Sequence, residues 1–139
     1  MTEMNAAPVL DTHAWLWWIR RDERLGAVVI ETLDALPPAD RPLVSDISLW
    51  EVAMLVGRRR LELTEPLREW LETASHPRTV RVVPISAAIA ADTATLTRTL
   101  RDPADRIIVA TSRMLDAPLL THDRQILRSR AARRWIPAS

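Results

Sequence analysis

The chain has 139 residues, 47% of them hydrophobic and 27% charged, a balance that excludes a disordered or membrane-spanning polypeptide and suffices for a single domain over residues 1–139 with a core of its own. No cysteine is present, so disulfides, thiolate metal sites and thiol nucleophiles are excluded and only oxygen and imidazole remain as metal ligands. A net charge of +1 provides no overall steering toward nucleic acid, so any RNA contact must come from local clusters of arginine, which supplies all 19 basic side chains.

Pro8, Val9 and Leu10 form a short apolar run that stops at Asp11, and residues 12–19, rich in Trp and Leu, read as the helix that follows it. The apolar stretch 14–19 is far too short for a membrane span or a secretory signal, and Glu3 precedes any apolar run, so the chain is expected in the cytoplasm. A second helix over 25–36 ends at Pro37-Pro38. Residues 42–45 then read as a strand, and 48–56 as a helix apolar nearly all round, closed by Gly57 as a cap. The arginines at 58, 59 and 60 suit that helix's dipole. A short amphipathic helix over 66–74, a strand over 80–84 and an alanine- and threonine-rich helix over 86–100 follow. Asp102-Pro103-Ala104 opens a helix over 105–115, Leu119-Leu120 is a strand, residues 123–130 a helix, and Trp135-Ile136 a last strand. Short apolar strands alternating with helices argue for a parallel sheet covered on both faces.

Asp11 and Asp123 each follow an apolar strand and precede a helix. In a parallel sheet both therefore stand at the carboxyl edge, where open α/β sheets bind their ligands. Taken singly, each is also a good N-cap for the next helix. Glu51 completes a capping box with Ser48, yet it is the only charge between Ser48 and Gly57, and a carboxylate on so apolar a helix needs a partner. Asp105 sits in a first turn that Asp102 is placed to cap, and Arg106 is positioned to neutralise either acid. Two carboxylates about 5 Å apart repel by roughly 3 kcal/mol at an effective dielectric near 20; a bound Mg²⁺ or Mn²⁺ turns that repulsion into attraction. The chemistry that needs such a cluster is metal-assisted phosphodiester hydrolysis, with one or two cations activating water and stabilising the leaving oxygen.

Four segments resemble the signature blocks of PIN-domain proteins, and of VapC-like toxins of type II toxin–antitoxin pairs in particular. They are Val9-Leu10-Asp11-Thr12-His13-Ala14-Trp15-Leu16-Trp17, Ser45-Asp46-Ile47-Ser48-Leu49-Trp50-Glu51, Arg101-Asp102-Pro103-Ala104-Asp105-Arg106-Ile107-Ile108-Val109-Ala110-Thr111 and Leu119-Leu120-Thr121-His122-Asp123-Arg124. They fall in family order across nearly the whole chain, and the stretch from Gly57 through Arg58-Arg59-Arg60 to Leu63 is similar to the family's segment after the second block. The resemblance implies a three-layer α/β/α sandwich around a central parallel sheet of four to five strands. It also implies a Mg²⁺- or Mn²⁺-dependent endoribonuclease whose metal is held by Asp11, Glu51, Asp105 and Asp123, with Asp102 as a companion and the Thr12 and Thr121 hydroxyls supporting the pocket. The partners it implies are an RNA substrate, a cognate VapB-like antitoxin lying across the active-site groove, and a second copy of the chain in a homodimer. Asp46 and His122 stand where smaller or apolar residues are more usual; His122 reads as an exposed loop residue and His13 as a support for the first turn.

Two other readings use the same residues. A PIN-like fold that binds RNA or a protein without cutting needs no metal, and phosphatase or phospho-acceptor chemistry on an open α/β fold also uses clustered acids, although this chain has no lysine to serve it. Arg20-Arg21, Arg58-Arg59-Arg60 and Arg128, Arg130, Arg133 and Arg134 are candidate phosphate contacts. Of Trp15, Trp17 and Trp18, at least two read as core, leaving one for a partner groove or an unpaired base.

Overall fold

The computed structural model describes residues 7–137, so Glu3 lies outside the described residues. Four strands, β1 (Val9–Leu10), β2 (Leu43–Ser45), β3 (Arg81–Val83) and β4 (Leu119–Leu120), form one sheet in the order β3-β2-β1-β4 with every pairing parallel. The helices are α1 (Thr12–Arg20), α2 (Ala27–Asp34), α3 (Asp46–Gly57), α4 (Leu67–Ala74), α5 (Ala87–Thr93), α6 (Pro103–Met114) and α7 (Arg124–Ser129).

Strands of two or three residues hold this sheet together because both of its faces are buried. Val9 lies opposite Leu43 and Leu119, and Leu10 opposite Val44 and Leu120, so successive side chains enter opposite layers. Leu10, Val44 and Leu120 join Trp15, Trp18, Leu33, Val52 and Trp70 in one core. Val9, Leu43 and Leu119 join Ile89, Leu100, Ile108 and Ile126 in the other. Helices thus cover both faces, giving the expected three-layer α/β/α sandwich with a sheet of four strands.

Several boundaries differ from those expected. The helix over 25–36 is a 3₁₀ turn (Glu23–Leu25) capped by Asp22, then a break at Gly26 (φ 99°), then α2. Helix α3 starts at Asp46, because the Ser45 hydroxyl caps it by accepting from Ile47 N at 3.2 Å. Gly57 is not a cap but the last helical residue. Closure is made beyond it by Arg58 N to Met54 O and Arg60 N to Leu55 O, both 2.9 Å, with Arg59 in the left-handed region at φ 57°. Helix α5 ends at Thr93, well short of Leu100, and relaxes into a 3₁₀ turn at Ala94–Leu96. There the Thr93 and Thr95 hydroxyls donate to the carbonyls of Ala90 (2.6 Å) and Asp92 (2.7 Å), bonds that compete with the helical ladder. In place of a strand at Trp135-Ile136 there is one parallel bridge between Leu119 and Arg134. No helix among the described residues is long and apolar enough to cross a membrane.

The strand order creates the site. From β1 the chain turns into α1 on one face, and from its neighbour β4 into α7 on the other, as the core partners of Trp15 and Ile126 show. Between two adjacent strands whose connections leave in opposite directions, a crevice opens at the carboxyl ends.

Candidate active site

Asp11 lies in that crevice, 6% exposed, with its backbone N–H donating to Leu120 O at 3.1 Å and so tying the ends of β1 and β4. One carboxylate oxygen caps α1 by accepting from Ala14 N (2.8 Å), and the other accepts the Thr121 hydroxyl (2.5 Å). The Thr121 oxygen in turn accepts from Asp123 N (2.9 Å), and Asp123 caps α7 through Ile126 N (3.0 Å). Both aspartates are therefore caps and also neighbours, linked by one buried hydroxyl.

Glu51 is joined to Asp11 through Thr12, the first residue of α1. Because Ser45 caps α3, Ser48 falls inside the helix and no capping box forms at Glu51. Instead the buried Ser48 hydroxyl bonds the Thr12 hydroxyl at 2.9 Å, and Thr12 donates to the Glu51 carboxylate in a short bond. Thr12, placed by Asp11's turn, thus clamps Glu51 toward the crevice.

Asp102 caps α6, accepting from Ala104 N (2.8 Å) and Asp105 N (3.3 Å), and leaves Asp105 half-buried in the first turn. Arg106 neutralises neither; its guanidinium braces the preceding loop by donating to the carbonyls of Leu100 (2.6 Å) and Arg101 (2.9 Å). Among the described residues no ion pair involves Asp11, Glu51, Asp102, Asp105 or Asp123. Asp102→Ala is expected to cost about 1 kcal/mol in urea denaturation through loss of the cap, and Asp102→Asn to cost little. Any effect of the Asn variant on activity then reports the charge alone.

The acids act on one another. Burial, followed by the charges of Asp102, Asp123, Glu51 and Asp11, pushes the Asp105 carboxyl up to about 7. Glu51 is raised by burial against the Thr12 hydrogen bond, with Asp102 and Asp11 adding to the rise. Burial also raises Asp11, outweighing the hydrogen bonds from Thr121 and Ala14 and the field of His13. Five carboxyls from four stretches of sequence thus share one negative field, which His13 offsets in part and no ion pair among the described residues neutralises.

That donor set is all hard oxygen. Among the described residues, no three His, Asp or Glu groups converge closely enough to form a metal shell by themselves. A hydrated Mg²⁺, which keeps several waters and takes one or two carboxylates directly, suits such spacing, whereas an all-protein cage does not form.

A cavity of about 250 Å³ lined by Asp11, His13, Trp17, His122 and Asp123 opens beside the acids. A larger one, about 440 Å³, lies at the opposite edge of the sheet among Trp18, Arg21, Arg41 and Arg78. It has no acid cluster, so chemistry rather than size marks the site. Trp15 and Trp18 are core, as expected of two of the three tryptophans, and Trp17, which packs against that core while half-buried, is the one that lines the cavity. Its signal was the four-residue spacing from His13, which puts both on one helical face. Asp46 adjoins the ends of β2 and β3, where one oxygen accepts from Ile85 N at 3.4 Å. The arginines at 20, 21, 58, 59, 60, 128, 130, 133 and 134 are all exposed.

Residues 9–132 match the PIN domain family. The chain is 36% identical over 119 residues to Ribonuclease VapC22 of Mycobacterium tuberculosis (strain ATCC 25618 / H37Rv), an alignment covering 85% of this chain and 88% of that protein. Its fold is similar to that of VapBC-1 from nontypeable Haemophilus influenzae (TM-score 0.68, 20% identity, 94% of this chain and 96% of that one). FitAcB from Neisseria gonorrhoeae is alike to the same degree (TM-score 0.67, 21% identity, 93% and 96%), as is a toxin–antitoxin complex from Klebsiella pneumoniae (TM-score 0.64, 21% identity, 95% and 98%). By its sequence over residues 9–132 and by its three-layer architecture, the chain belongs to the PIN-domain family.

Proposed function

We propose that this chain is a divalent-metal-dependent endoribonuclease that hydrolyses RNA phosphodiester bonds and serves as the toxin of a type II toxin–antitoxin pair, neutralised by a VapB-like antitoxin. The observation that carries the reading is the acid cluster at the sheet's switch point, linked through Thr121 and Thr12, in which burial and then four other carboxyls raise Asp105. The 36% identity to a protein named as a ribonuclease supports it, and toxin–antitoxin complexes of the same fold support the antitoxin partner.

In this reading Asp11, Glu51, Asp105 and Asp123 hold Mg²⁺ or Mn²⁺, with Asp102 adding charge at the rim. The bound cation supplies water activation and stabilisation of the leaving oxygen. The protein's own part is positional: Thr121 holds Asp11 against Asp123, Thr12 holds Glu51, and exposed arginines attract phosphates. The chain works in the cytoplasm, as one PIN domain per protomer, and pairs as a homodimer, which light scattering of the purified protein checks.

RNA cleavage with Mg²⁺ and with EDTA, alongside calorimetric titration of Mg²⁺, tests the activity. Cleavage and a saturable heat are expected with the wild type, and Asp11→Ala should lose both while keeping its circular dichroism. Cutting that continues in EDTA or in Asp11→Ala sinks the reading. Induced expression should arrest growth, and co-expression of a short neighbouring reading frame should relieve the arrest.

A further inference from the structure

The cavity beside the acids has an aromatic wall that metal binding does not explain. Trp17 lies with its ring centroid 5.7 Å from that of His13 one turn earlier on α1, the planes tilted by 56°. From the loop after β4, His122 meets the same indole edge-on, also at 5.7 Å and at 85°. The Arg24 guanidinium stands 5.1 Å from the Trp17 ring centroid and is itself fixed by Asp22, donating to both carboxylate oxygens at 3.0 and 2.7 Å. Groups from α1, from the 3₁₀ turn and from the β4–α7 loop therefore hold Trp17 in one orientation. Trp17 packs against the core with part of its ring only, whereas Trp15 and Trp18 are buried in it and donate their indole N–H groups to Ala74 O and Asp34. Trp17 stays half-buried, and His13 and His122 are exposed, so the cavity they share with Asp11 and Asp123 is an open, pre-oriented aromatic slot.

At about 250 Å³ the slot lies below the ~300–1,000 Å³ of pockets that enclose a drug-sized ligand, which suits one planar ring system rather than a folded element. We propose that it is a base subsite, in which an unpaired nucleobase of the substrate stacks against Trp17 between the His13 and His122 rings and so sets its phosphodiester over the acids. This rests on the ribonuclease reading and names the part of the RNA the site grips. Stacking accepts any base because every base has a π-face. The slot therefore selects an unpaired nucleotide rather than a particular sequence, and a duplex, whose bases stay stacked on one another, does not fill it.

The test uses the full chain carrying Asp105→Asn, so that RNA stays intact, and single-stranded ten-nucleotide RNAs with 2-aminopurine at each position in turn. Quenching of 2-aminopurine is expected at one position, and an abasic ribose there should raise Kd roughly 5- to 100-fold, in keeping with measured base–aromatic stacking. Trp17→Leu should lose the quench with a similar rise in Kd, Trp17→Phe should keep it, and His122→Ala should weaken it. The abasic RNA probes the slot without altering the protein, so a folding defect in Trp17→Leu does not blunt the test. Unchanged Kd with abasic RNA at every position, or an unchanged quench in folded Trp17→Leu, overturns the base subsite. Cleavage by the wild-type chain is read in parallel. If it cuts while the quench ignores Trp17, only the subsite fails; if it does not cut while the quench needs Trp17, only the ribonuclease reading fails.

Discussion

Asp105→Asn is expected to lower RNA cleavage by about 10²-fold or more, the scale on which an active-site electrostatic group acts, and at the same time to stabilise the metal-free protein at neutral pH. The two effects have one cause. In the folded chain burial and four neighbouring carboxyls raise the Asp105 carboxyl to about 7, well above the ordinary aspartate value of 3.8. Between those values the folded state keeps a proton that the unfolded state has lost, so stability falls as pH rises from about 4 to about 7. Denaturation in urea with EDTA should therefore give a lower midpoint at pH 8 than at pH 5. About 1–2 kcal/mol of that difference should vanish in Asp105→Asn, a figure discounted from the full shift because Asp105 is partly exposed to screening solvent. Metal binding runs with the opposite sign. The cation needs the carboxylate, so its apparent affinity should drop by about tenfold for each pH unit below 7. Wild-type cleavage that is flat from pH 6 to pH 8 at limiting Mg²⁺, or an Asn variant that cuts at the wild-type rate, contradicts this account.

Trp15→Ala should be the most damaging core substitution near the site, costing about 3–5 kcal/mol. Trp15 is fully buried, meets Trp70 edge-on with ring centroids 5.4 Å apart, and donates its indole N–H to Ala74 O at 3.0 Å. The substitution opens a cavity, removes an aromatic pair and leaves a buried carbonyl unpaired, on a chain whose total stability is of the order of 5–15 kcal/mol. A fall in Tm of roughly 10–20 °C follows. Trp50, 56% exposed on α3, provides the contrast, since its replacement by alanine should stay within about 0.5 kcal/mol. Equal losses at the two positions by calorimetry contradict this assignment of the core.

Much of the fold was legible because its signals are local. β1, β2 and β4 are short, fully buried runs followed within three residues by an acid, as Val9-Leu10 is by Asp11, and their side chains enter both layers, so alternation with helices leads directly to a covered parallel sheet. Helix ends were less legible, because an end depends on which of several adequate hydroxyls wins the cap. Ser45 takes α3 from Ser48, and threonine back-bonding shortens α5. Arg59, not Gly57, adopts the left-handed conformation after α3, which glycine's reputation as a cap conceals.

The four acids were visible in the sequence as candidates, but each carried a local alternative that only the tertiary structure weighs. Asp11 and Asp123 turn out to be caps and neighbours together, because a carboxylate has two oxygens and Asp11 turns its second to Thr121. Glu51 loses its capping role once α3 begins earlier, and gains Thr12, 39 positions away, once α1 packs on α3. Arg106, which in sequence stands beside Asp105, is drawn off by two carbonyls, so the negative field remains whole. By itself, then, the sequence determined residue chemistry and local periodicity: donors limited to oxygen and imidazole, a parallel sheet and its carboxyl edge. Which carboxyls share a field, which arginine leaves them unpaired and which tryptophan faces the cavity were decided only in three dimensions, because each depends on contacts between segments far apart in the chain, where no local pattern is written.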